Sequence, residues 1–299
     1  MVGSQGDDWE FNEELANEAG VPSRDPKTDE AKREVSQLLA SNRQSVFYVK
    51  QLQVKFESRF YHWITARAVK ELVLEGSVGA EDVPLKVGGR ARFIFARGHR
   101  YRSRQVERAV AIINRYSEPL MARACGDHAE QLFLTALAEY GFLCTGRNTR
   151  EVWAIDNEGQ RELRKAWTAS GHTLDFIVER DGVSYGAEVK NTWDYIERDE
   201  LETKLTMCGS LELRPLFIMR HSPKTYNYLV EQGGGYAMIF VAHIYPYLAG
   251  ELVREIRETF GMPCDSPRRI PDSILQRFDR WHRKRRLRES GGEFTVGGR

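Results

Sequence analysis

What the sequence lacks narrows its class first. No stretch approaches the about 18 consecutive apolar residues that a membrane-spanning helix needs, so no membrane partner is expected. The amino end, Met1 to about Pro26, has neither the basic start nor the apolar run of a secretory signal. It is acidic and poor in large apolar residues, and it reads as a flexible leader of a cytoplasmic protein, of prokaryotic or phage type. The four cysteines, Cys125, Cys144, Cys208 and Cys264, are scattered with no C-x-x-C pair, which argues against a disulfide frame or a cysteine zinc site. Net charge is only +1, so no global basic field announces a polyanionic partner, and local charge has to be read instead. There is no internal repeat and no long low-complexity tract.

What is present is enough for two domains: 299 residues, 41% of them apolar. In the first half, Ala31, Val35, Leu38 and Leu39 predict a helix from about Thr28 to Asn42, with Asp29 placed to cap it. Leu52, Phe56 and Phe60 predict a second, Val49 to about Tyr61. A third starts near Thr65, runs through Ala68, Val69, Leu72 and Val73, and stops at Gly76. Two short strand-like pieces follow, 83–87 and 91–95, joined through Gly88-Gly89. Three helices and a hairpin is the order of a winged helix-turn-helix domain, whose third helix enters the major groove. Arg67 and Lys70 on that helix, Arg90 and Arg92 on the hairpin, and Arg100 and Arg102 in the basic run beyond it are the candidate DNA contacts. Use of the domain as a scaffold or for dimerisation is the competing reading. A linker helix, about Gln105 to Arg115, precedes Pro119, which marks a break.

The chemistry concentrates in the second half. A helix containing Glu130 ends at Gly141, and a polar hairpin with the turn Asp156-Asn157-Glu158-Gly159 follows. Residues 173–178 and 183–190 then read as two strands joined by Asp181-Gly182, the strongest short hairpin signal. That pairing sets Asp175 and Glu188 on neighbouring strands, while alternation puts Glu188 and Lys190 on one face. Two carboxylates offer hard oxygen ligands to Mg²⁺, which keeps several waters and binds substrate phosphate. A lysine two residues beyond the second carboxylate can orient an attacking water and offset developing charge.

Asp175 followed by Glu188-Val189-Lys190 resembles the PD-(D/E)XK nuclease superfamily, over about residues 122–245. The position before Asp175 is Leu174 where the family pattern has proline. The resemblance implies an α/β (α+β) fold: a restriction-endonuclease-like mixed sheet flanked by helices, following the winged helix domain. It implies a fourth strand at 214–219, helices near 200–207 and 222–232, and a fifth strand at 236–241. It also implies an additional acidic ligand on the first helix, matched by Glu130. Asp175, Glu188 and Glu130 are thus the expected metal ligands, and these three with Lys190 the expected catalytic set. The cofactor is Mg²⁺ with Mn²⁺ as substitute, the substrate DNA, and the assembly a homodimer. RNA as substrate and a non-catalytic DNA-binding role both stay open.

Other constellations are weaker. His128-Ala129-Glu130 mimics half of a zinc deaminase motif, but Pro263-Cys264 has no second cysteine after it. Gly233-Gly234-Gly235 lacks the layout of a phosphate loop and reads as a turn. Trp193 and Tyr195 either stack on a displaced base or cover the core. From Arg268 to Arg288 there are nine Lys/Arg and two Asp, with Ile274, Phe278 and Trp281 at helical spacing. This is either a basic helix lying on nucleic acid or a docked helix with solvated arginines. The expected organisation is a leader (1–27), winged helix (28–104), linker (105–118), nuclease domain (119–262) and basic tail (263–299).

Overall fold

The computed structural model describes residues 25–155 and 158–289, which form helices and mixed sheets of the α+β class. Most of the expected leader, Asp156-Asn157 of the expected turn and the chain end from Ser290 lie outside the described residues. The described residues divide into two compact units: 25–124 with 248–264, and 125–155 and 158–247 with 265–289. The division differs from the expected boundaries. Residues 248–262 belong with the first unit, and the basic segment from 265 belongs with the second.

In the first unit the order is α1 (Lys27–Ser41), β1 (Val46–Tyr48), α2 (Val49–Phe56), α3 (His62–Leu74), β2 (Gly79–Pro84) and β3 (Arg90–Phe95). The three strands form an antiparallel sheet with β3 in the middle. Ala31, Val35 and Leu39 recur every fourth residue on α1 and are buried with Leu52, Ile64, Ala68 and Leu72. Asp29 lies inside the first turn of α1, where an acid suits the helix dipole, and does not cap it. Thr65 is likewise inside α3 and fully buried, three residues after its start at His62. The turn between β2 and β3 closes by Leu85 N–H donating to Gly89 O, and Gly88 and Gly89 both take positive φ. Helix α4 (Arg102–Tyr116) and a later helix, α8 (Gly250–Phe260), complete the unit. Phe260 on α8 lies 6.2 Å from the Tyr48 ring, and Arg115 of α4 pairs with Glu255.

The helical run breaks after Tyr116, as Pro119 leads one to expect, and Pro119 itself opens a 21-residue helix, α5 (Pro119–Glu139). Proline is tolerated in the first turn, where its missing N–H has no intrahelical partner to lose. The second unit continues with β4 (Leu143–Thr149), the hairpin β5 (Glu151–Ile155) and β6 (Arg161–Ala166), then β7 (Leu174–Arg180) and β8 (Val183–Lys190). Helix α6 (Arg198–Ser210), β9 (Arg214–Met219), α7 (Lys224–Gln232), β10 (Tyr236–Ile239) and α9 (Asp272–Glu289) follow. Five strands make one mixed sheet in the order β10-β9-β8-β7-β4. β10, β9 and β8 run parallel, whereas β7 pairs antiparallel to both β8 and β4. Asp181 and Gly182 both have positive φ, the geometry that joins two right-twisted strands most tightly.

Alternation divides the sheet's two faces. Phe176, Val178, Tyr185, Ala187, Leu216 and Ile218 pack under Phe133 and Leu137 of α5 and Leu275 and Phe278 of α9. Ile177 packs with Met207 and Cys208 of α6, joined there by Leu174 at the start of β7, which departs from the alternation, and Phe217 and Met219 pack with Leu201 of α6 and Val230 of α7. Gly235 is required where α7 returns to β10: a Cβ there would stand 2.3 Å from the Pro215 carbonyl oxygen. Gly235→Ala is expected to cost about 1–3 kcal/mol, since backbone must move to admit the methyl. A urea-melt midpoint within error of wild type would contradict this.

Candidate active site

The hairpin β7–β8 brings Asp175, Glu188 and Lys190 to one end of the central sheet. Phe176 stands opposite Ala187 in the register, so Asp175 lies beside the Glu188–Val189 step. One Asp175 carboxylate oxygen, Oδ2, accepts the Val189 N–H at 2.6 Å, tying the two strand ends together. Glu188 is only 2% exposed. Its Oε1 is 3.0 Å from Lys190 Nζ and its Oε2 is 2.5 Å from Lys204 Nζ. Lys190 also donates to Glu200 Oε1 at 2.7 Å. The Glu188–Lys204 pair is therefore a buried ion pair made from α6, with the part-buried Lys190 on its outer side. Lys204 also donates to the Thr173 carbonyl, so it fixes the start of β7 as well as Glu188.

Lys204 and Glu200 are the site residues that the sequence reading missed. Their signal is the Glu-x-x-x-Lys spacing on the helix after Lys190, which puts both on one helix face. It is also an ordinary surface-pair pattern, and only the burial of Lys204 distinguishes it.

Burial pushes the Asp175 carboxyl up to about 7, and the neighbouring Glu188 and Glu130 charges add to this against the Val189 N–H and Lys204. Glu130, on α5, is raised by burial and by Asp127 and Glu188, with Arg147 opposing. For Lys190, burial favours the neutral form, but Glu188 and Glu200 outweigh it and hold the ammonium protonated. Five carboxylates (Asp127, Glu130, Asp175, Glu188, Glu200) thus act on one another against three cations, Arg147, Lys190 and Lys204. The donors are hard oxygens, as Mg²⁺ requires. Among the described residues, no three His, Cys, Asp or Glu side chains are arranged to hold a metal by themselves. The expected trio Asp175, Glu188 and Glu130 is therefore not a preformed cage. Both Glu188 oxygens are occupied by ammonium groups, and an ion here would draw its remaining ligands from water and substrate.

The end of β8 is fixed independently. Asn191 donates to the carbonyls of Cys125 and Ile244 and accepts the Ile244 N–H. The Arg220 N–H binds the Lys190 carbonyl, and its guanidinium donates to Thr192 O and lies over Trp193. Trp193 is buried and stacked on His243 at 4.6 Å, so it covers the core and is not offered to a base. Burial, reinforced by Arg220, pushes His243 down to about 3, which keeps it neutral. His128 is taken up by the Pro267 carbonyl.

The six candidate DNA contacts fare unevenly. Arg92 makes a two-point pair with Asp82, whose carboxyl it holds low, and Arg90 donates to the Asp82 carbonyl. Arg102 is 3.4 Å from Glu81 and stacks on Phe95. Arg100 is exposed, and Arg67 and Lys70 are half-buried on α3. Compared with protein-family models, curated proteins and solved structures, the chain matches none.

Proposed function

We propose that this chain is a Mg²⁺-dependent endonuclease that hydrolyses phosphodiester bonds of DNA, built as a PD-(D/E)XK-type domain joined to a winged helix. The observation that carries the reading is geometric: Asp175, Glu188 and Lys190 meet on adjacent strand ends, with Glu188 almost fully buried and paired to Lys190. The succession of α5, an antiparallel meander of β4, β7 and β8, α6 and the parallel β9 supports it. In the first unit, α1–β1–α2–α3–β2–β3 supports a winged helix, with β1 as the third strand beside the hairpin.

Asp175 and Glu188 would hold the ion, with Glu130 adding charge beside them. When bound, Mg²⁺ would polarise the scissile phosphate and lower the pKa of a coordinated water. The protein's own groups divide the remaining work. Lys190, kept protonated by Glu188 and Glu200, donates to the attacking water or a phosphate oxygen and offsets charge as it develops. Cutting both strands of a duplex calls for two copies of such a centre, hence a homodimer.

Supercoiled plasmid, linear duplex, branched DNA and single-stranded RNA, incubated with Mg²⁺, Mn²⁺ or EDTA, test the proposal beside Asp175→Asn. Metal-dependent DNA cutting that the variant loses is the expected result. Cutting of RNA alone would replace the substrate, and DNA binding with no cutting would replace the enzyme by a regulator. In the same assay Lys190→Ala is expected to slow cleavage about 10²–10³-fold while metal dependence persists. Unchanged rates would remove Lys190 from the chemistry.

A further inference from the structure

Helix α9 is docked on the sheet face opposite α6, whose Lys204 pairs with Glu188. Ile274, Leu275, Phe278 and His282 are buried against that face. Asp279 pairs with Arg180 at 2.6 Å, and His282 lies between Tyr185 OH (2.7 Å) and Asp181 (3.2 Å). The outer side carries a row of cations. Arg277, Arg280, Lys284 and Arg288 are all exposed. At 100° per residue they fall within an arc of about 80°, and at 1.5 Å rise they span about 16 Å. Over that length one nucleic-acid strand presents four or five phosphates. Arg277 and Arg280 donate to carbonyls of their own helix, and among the described residues none of the four has a carboxylate partner.

We propose that the outer face of α9 is a second nucleic-acid-binding site, gripping a phosphate backbone away from the cleavage centre. It shares with the proposed function only the class of ligand. The row is arginine-rich, as phosphate recognition favours, and a docked helix loses little freedom when it binds. A lipid surface fits poorly. The apolar face of α9 is consumed by the core, and Leu287 is the sole large apolar side chain exposed on its described residues.

The test uses the full chain carrying Asp175→Asn, so that binding is read without cutting. Affinity for a short labelled duplex is measured between about 50 and 200 mM salt. Replacing Arg277, Arg280, Lys284 and Arg288 by Gln is expected to weaken binding about 10–100-fold and to flatten the log–log salt slope by about 2–4, since each phosphate contact contributes about 0.9. A control replaces Arg150, Arg161 and Arg164, all on or beside β5–β6, and is expected to change neither quantity comparably. Melting temperatures check that both variants fold. Unchanged duplex affinity overturns the proposal, as does an equal loss in the control. A loss confined to phosphatidylserine vesicles reassigns the surface to membrane and also overturns it. If wild-type protein never cuts DNA yet the α9 variant loses duplex binding, the nuclease reading fails and this site stands.

Discussion

Asp175→Asn is expected to raise stability at pH 8 by about 2–4 kcal/mol, while abolishing metal-dependent cleavage. An aspartate in an unfolded chain titrates near about 3.9, whereas in the folded protein burial and Glu188 push Asp175 up to about 7. Between those values the folded state holds a proton that the unfolded state has released. The stability contributed by the protonated Asp175 carboxyl is therefore fully present below about pH 4 and is lost as pH rises through about 7. Above that the full cost of a buried negative charge is present. Asparagine keeps an oxygen for the Val189 N–H and carries no charge at any pH. Denaturation melts at pH 5 and pH 8 should show a small gap between variant and wild type at the lower value and a wide one at the higher. An equal gap at both, or a variant less stable at pH 8, would show that Asp175 is ionised at little cost. Saturating Mg²⁺ should raise wild-type stability and leave the variant nearly unmoved, since a bound ion stabilises only the state that binds it.

The second large effect concerns Glu188. Removing its charge by Glu188→Gln leaves two ammonium groups, one of them the 5%-exposed Lys204, without their shared partner. Breaking a buried pair from one side costs on the order of 3–5 kcal/mol. Lys204→Met alone removes the opposing charge from Glu188 and should also destabilise. Combining the two changes should recover part of the loss, because neither is then left facing an uncompensated partner. The coupling in this double-mutant cycle, read from urea midpoints, is expected to reach at least about 1 kcal/mol. Strict additivity would mean that the Lys204–Glu188 contact carries no net energy.

Much of this arrangement is legible in the sequence because its signals are local. Asp181-Gly182 specifies a tight hairpin by itself, and with strand alternation it dictates that Glu188 and Lys190 share a face. The strand at 214–219 is reached through the family resemblance, and β9 lies there. The failures have physical causes. Three residues, Val46–Tyr48, are too few to display a period, so β1 is visible only through its pairing with β3. The second helix ends at Phe56, although Phe60 continues its spacing, because Phe60 reaches the same core from a turn. Arg92 and Arg102 read as phosphate partners until Asp82 and Glu81, ten and twenty-one positions earlier, are brought beside them by the fold. Lys204 was hidden for the opposite reason. A lysine four residues after a glutamate is ordinary on a helix, and nothing in one dimension says that the helix is pressed against a carboxylate.

The β5–β6 hairpin has a consequence for how this chain can vary. Neither strand contains a buried residue, and Trp153, Ile155 and Leu163 are exposed, with Arg161 lying over Trp153. The hairpin interrupts the chain between β4 and β7, which are themselves hydrogen-bonded neighbours from Leu143 to Thr149. Its base is anchored where the Trp167 N–H reaches the Arg150 carbonyl and Val152 packs beside Trp167. Lengthening, shortening or excising residues 153–164 therefore leaves every rung of the five-stranded ladder in register. It is a module whose length can change without disturbing that ladder, the loop-closure part of the cost being about 0.6 kcal/mol for each doubling of length.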